Sequence, residues 1–119
     1  AGLPDACAAA LVRNWEASAR EVARRRVAAA RWRGHAVTRG WTFPEPERAD
    51  AVRGELRLAG LVPEGERAAT VAARLGGGAM PGYPLTLGEV AALRPRVRLA
   101  SGDAGARELV ARLVTLPTT

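Results

Sequence analysis

Lysine, isoleucine and glutamine are absent from the 119 residues, and histidine (His35) and cysteine (Cys7) occur once each. Without lysine there is no Walker-type phosphate loop, no Schiff-base nucleophile and no lysine-borne cofactor. One cysteine excludes an internal disulfide, and one histidine with one cysteine cannot close a zinc site. No cofactor and no metal site are therefore expected. Long apolar runs are missing too. The longest, residues 6–12, is mostly alanine, well short of the roughly 18 residues of a membrane span and without the preceding charge of a signal peptide. The arginine- and alanine-rich N-terminal stretch has the look of a transit peptide, but Asp5, Glu16 and Glu21 count against one. The expectation is no membrane and a cytoplasmic location.

What is present is alanine and arginine. Apolar residues make up 48% of the chain, yet 26 of them are alanine, which removes little area from water per residue. The larger apolar side chains include 13 Leu, 11 Val and five aromatics, enough for a domain that folds with little margin. All 18 basic residues are arginine against 12 acids, for a net charge of +6. A GC-rich coding sequence would choose arginine over lysine for reasons unrelated to chemistry, so position carries more meaning than identity.

The pattern predicts an all-α fold of about five helices in a single domain over residues 1–119. A long amphipathic helix spans residues 5–33, with Asp5 as N-cap and no Gly or Pro before Gly34. At 100° per residue Ala8, Leu11, Val12, Trp15, Ala19, Val22, Ala23, Val27 and Ala30 form its inner face. Thr42 and Glu45 have capping-box spacing and Pro44 suits an early helical position. A second helix is expected from there to Ala59, with Ala49, Val52 and Leu56 inward and Gly60 as its stop. A third runs over residues 64–75 behind Pro63, presenting Ala68, Val71, Ala72 and Leu75. Residues 76–84 read as a flexible Gly/Pro loop. Thr86 with Glu89, stapled by Leu85 and Val90, opens a short fourth helix ended by Pro95. Residues 96–99 alternate as a short extended segment. Ser101 or Asp103 caps a last helix with Ala106, Leu109, Val110, Leu113 and Leu116 inward.

The charge is uneven. Residues 1–39 hold eight arginines against three acids, whereas residues 40–119 hold ten against nine. Arg13, Arg20, Arg24 and Arg31 fall in one narrow arc beside the apolar face, running roughly 27 Å at 1.5 Å per residue. Arg25, Arg26, Arg33 and Arg39 crowd the same C-terminal half. Guanidinium forks bind phosphates bidentately and release counterions, so this stripe suits DNA or RNA. It equally suits an acidic protein partner, or a solvated face complementing the helix dipole.

Residues 68–76 resemble the first helix and turn glycine of a helix-turn-helix, and residues 85–93 resemble the opening helix of small DNA-binding regulators. The intervening turn is far longer than the usual 3–4 residues, and no family is assigned. His35 has no carboxylate near it in sequence to orient it as a general base and reads as a helix-end residue. Cys7 reads as a small buried thiol and Trp15 as core. Glu45, Glu47 and Asp50 suit a helix N-terminus without metal or catalysis. Trp32, off the apolar stripe among arginines, is the aromatic expected to stack on bases or anchor an interface. The functional expectation is a non-enzymatic nucleic-acid binder using Arg13, Arg20, Arg24, Arg25, Arg31, Arg33, Trp32 and Arg39. The alternative is an interaction subunit of a larger assembly, including a homodimer through the long helix.

Overall fold

The structure, a computed structural model, describes residues 5–45, 48, 50–51, 54–98 and 102–119. Among them are three helices and a three-stranded antiparallel sheet, 49% helical and 12% strand, an α+β arrangement that replaces the expected five-helix all-α fold. The elements are α1 (Asp5–Val37), β1 (Arg57–Leu61), α2 (Ala68–Leu75), β2 (Met80–Pro81), α3 (Ala104–Arg112) and β3 (Leu113–Pro117). A 3-10 turn covers Arg94–Arg96. The C-terminal β3 is the central strand, in the order β1-β3-β2.

The long helix is there and runs past Gly34 to Val37. Its end is closed by the Thr38 hydroxyl and the Arg39 guanidinium, both donating to the His35 carbonyl at 2.8 Å. Gly40, at φ 78°, makes the left-handed turn that follows. The face α1 packs differs from the expected one. Ala29 and Ala36 are buried, with Trp32 against the core, whereas Val27, Ala23 and Ala30 are exposed. The large Trp32 sets the rotation, because its indole offers far more apolar area than the alanines and its Nε1 donates to the Pro117 carbonyl at 3.0 Å. The side chain of Asp5, the expected cap, lies outside the described residues.

The second helix is overturned. Arg57–Leu61 is a strand, its exposure alternating so that Leu58 and Gly60 face inward, while Leu56 is 72% exposed. Thr42, expected to cap that helix, instead pairs with Leu61 as an isolated bridge, with N···O distances of 3.1 and 2.8 Å. Ala49 and Val52 lie outside the described residues. The third helix begins at Ala68 rather than residue 64, because Gly65 sits at φ 86°, which a right-handed helix cannot include. Its Ala68, Val71 and Ala72 are buried as expected; Leu75 is 41% exposed. Within the Gly/Pro loop, Met80 and Pro81 pair with Thr115 and Val114.

No fourth helix forms. Half of its capping box does: the Thr86 amide donates to Glu89 Oε2 at 2.8 Å. Residues 87–93 then make turns, since Gly88 and Pro95 leave too little chain to repay helix nucleation. Of the expected extended segment at 96–99, Arg96 belongs to the 3-10 turn, Val97 is extended at φ −81° and ψ 125°, and Leu99 lies outside the described residues. The last helix stops at Arg112, and residues it was expected to include become β3. Ala106 and Leu109 are exposed rather than inward; Val114, Leu116 and Thr118 carry the burial.

The core is small. Leu58, Val62, Val71, Val114 and Leu116 are its largest fully buried side chains, filled in by Ala29, Ala68 and Ala72. Trp32, Trp41, Phe43 and Ala79 pack around them. α1 joins this core through Ala29 and Trp32, in its C-terminal third. Before Glu21, the described side chains of the helix are exposed apart from a half-buried Ala10. No helix among the described residues is long and apolar enough to cross a membrane.

Candidate functional site

The arginines expected to act together divide into two groups. Arg13, Arg20, Arg24 and Arg31 are all exposed. They occupy about 40° of arc at 100° per residue, on the side of α1 opposite the buried Ala29 and Ala36 rather than beside the packed face. Among the described residues Arg13, Arg20 and Arg31 form no ion pair, and Arg24 holds Glu21 through an exposed contact. Surface pairs of this kind contribute little and are readily exchanged for a phosphate.

The other group serves the fold. Arg25 is half-buried, its Nε donating to Glu21 at 2.8 Å. Arg33 pairs with Glu55, whose side chain is only 7% exposed, and its guanidinium lies 5.9 Å from the Phe43 ring centroid. Arg39 is exposed but spends one donor on the end of α1. Trp32 is turned into the molecule, so the structure does not place it where an exposed stacking residue would stand. Trp15, expected in the core, is 71% exposed, and Cys7 is exposed as well.

The end of α1 also borders a cavity of about 350 Å³. Trp32 and Trp41 wall it, the buried Ala36 and Leu116 form its floor, and the exposed His35 and Arg39 stand at its mouth. His35 lies one turn beyond Arg31 (i, i+4), so the arginine face leads to this opening. Its legible signal was two tryptophans enclosing a histidine and two arginines over residues 32–41. Tertiary folding was needed to bring in Leu116. No group of three or more His, Cys, Asp or Glu that could hold a metal ion occurs among the described residues. Residues 85–93 form turns, so the second helix of a helix-turn-helix is not made.

Three acids, Glu21, Asp50 and Glu89, are held below their ordinary pKa values. Glu21 lies below its ordinary value of 4.5, chiefly through the Arg25 hydrogen bond and then that of Arg24. Asp50 is lowered by Arg48, and Glu89 by the Thr86 amide. Each folded-state pKa is below its unfolded value. The stabilisation is therefore complete above the unfolded pKa and is lost as pH falls through the folded one. Helix ellipticity at 222 nm should stay flat on acidification to about pH 5 and decline below about pH 4. A decline complete by about pH 6 would contradict this assignment, because carboxylates with lowered pKa values do not titrate there.

No protein-family model matches the chain, and no curated protein or solved structure matches it either.

Proposed function

We propose that this chain is a small, non-enzymatic nucleic-acid-binding protein whose α1 helix lies along the phosphate backbone. One observation supports this above the others: Arg13, Arg20, Arg24 and Arg31 stay exposed in one row on the face turned away from the core. A row roughly 27 Å long spans several phosphates, and among the described residues it stays exposed. Arg25 and Arg33, engaged within the fold, drop out of the set that contacts phosphates.

Binding to labelled DNA and RNA across a salt series tests this. Four phosphate contacts give a slope of about −3 to −4 in log K against log salt, or about a hundredfold weakening between 50 and 200 mM. Replacing Arg20→Glu and Arg31→Glu together should abolish most of the binding and roughly halve the slope. Absence of binding at low salt would dismiss the reading and turn attention to an acidic protein partner.

A second reading, an interaction subunit or homodimer, has its own support in α1. Leu11, Val12 and Trp15 are 62%, 70% and 71% exposed on the half of the helix that reaches beyond the core. A salt-insensitive mass above that of one chain would favour it.

A further inference from the structure

We propose that the cavity at the C-terminal end of α1 receives an unpaired nucleobase, so that the protein grips single-stranded or frayed nucleic acid in preference to closed duplex. This rests on the phosphate-tracking reading of α1 and names the kind of strand that face would hold.

The lining states the ligand's chemistry. Two indoles, Trp32 and Trp41, wall a cavity of about 350 Å³, and the buried Ala36 and Leu116 close its floor. Such walls favour a flat aromatic group, and any base can offer a π face to them. The mouth carries His35 and Arg39, and among the described residues no carboxylate lines the cavity. The ligand is therefore aromatic at one end and anionic at the other, as a nucleobase with its own phosphate is. The volume lies in the range of roughly 300–1,000 Å³ typical of small-ligand sites.

Position links the cavity to the arginine row. Arg24, Arg31 and His35 follow one another at i, i+7 and i+11 along one flank of α1, and Arg39 comes just after the helix. A strand held by its phosphates along that flank passes the opening with its bases free to turn in. In a duplex the same bases are stacked and paired, and turning one out costs free energy that a single strand does not spend. Trp32 keeps its Nε1 on the Pro117 carbonyl, which fixes its ring as a wall. Trp41 stacks on Phe43, with ring centroids 6.4 Å apart and the planes at 19°.

The test compares a short single-stranded oligonucleotide with an abasic strand of the same length and charge, and with a blunt hairpin, by fluorescence anisotropy. The wild-type protein should bind the base-bearing strand about tenfold more tightly than the abasic one. Leu75 also lines the cavity and is 41% exposed, so Leu75→Trp fills the space without emptying the core. That variant should bind all three ligands as the wild type binds the abasic strand, with an unchanged salt slope. Equal binding of base-bearing and abasic strands overturns the inference and leaves the phosphate row standing. A tenfold preference that survives in Leu75→Trp also overturns it, since the bases would then stack elsewhere, as on the exposed Trp15. If no strand binds at low salt, both readings fall.

Discussion

Leu116→Ala should cost about 3–5 kcal/mol, a large share of the chain's stability at 25 °C. Leu116 is fully buried in the central strand and stands opposite Leu58, also fully buried, in the β1–β3 register. Among the described residues only five large side chains are fully buried, and the other buried members of their cluster are alanines too small to collapse into a void. Poor collapse puts a Leu→Ala change at the costly end of its range. A domain of this size rarely holds more than about 5–10 kcal/mol in reserve, so the loss removes much of its stability. Urea denaturation followed by tryptophan fluorescence would measure it, with Leu87→Ala, at a residue 66% exposed, as a control expected to shift stability by less than about 0.5 kcal/mol. The comparison with Leu109→Ala decides more. If residues 104–116 were one helix, Leu109 and Leu116 would share a face and cost alike. In the strand arrangement Leu109 is 49% exposed, and its loss should be small. Equal costs would remove β3 from the fold.

That contrast shows why the sheet escaped the sequence. Leu109, Leu113 and Leu116 satisfy helical spacing, while Val114, Leu116 and Thr118 satisfy strand spacing, and both patterns run through the same few residues. The β-branched pair Val114-Thr115 was the local sign of a strand, but a lone strand has no partner in sequence. β1 lies more than 50 residues earlier, paired Leu58 with Leu116, and was itself read as a helix end because Gly60 looks like a stop. Pairing between distant segments decided both. Where structure is local the reading held: α1 is present, α2 buries Ala68, Val71 and Ala72, and Gly76 ends it at φ 61°. The Thr86–Glu89 contact formed as its spacing implied, yet a cap supplies only a beginning, and Gly88 and Pro95 denied it a helix.

The candidate site was legible in part for the same reason. Exposure of Arg13, Arg20, Arg24 and Arg31 follows from their helical phase, which is local. The burial of Trp32 does not, because its partner is the carbonyl of Pro117, 85 residues away. Arg33 meets Glu55 only because the chain folds back after α1. An arginine stripe can be counted from sequence; which arginines the fold has already claimed cannot.

Gly60→Ala should destabilise the protein by about 1–3 kcal/mol and disturb the cavity at the same time. Gly60 is buried in β1, and a Cβ there would stand 2.7 Å from Phe43 Cε1, 3.1 Å from Phe43 Cδ1 and 3.1 Å from Trp41 Cε3. The obstacle is two rings, and neither can step aside cheaply. Phe43 lies in the stack with Trp41 and under the Arg33 guanidinium, so displacing it loosens contacts to α1 as well. Glycine in a strand interior is normally unfavourable, so relieving it with alanine would ordinarily help; here the steric cost reverses the sign. A double-mutant cycle with Phe43→Leu separates the causes. If the Phe43 ring is the obstacle, Gly60→Ala costs at least about 1 kcal/mol less in the Phe43→Leu background than in the wild type. Additive costs would mean that the ring yields freely. Because Trp41 walls the cavity and also meets that Cβ, Gly60→Ala should weaken base-bearing strands more than abasic ones, which ties the packing of β1 to the mouth of the site.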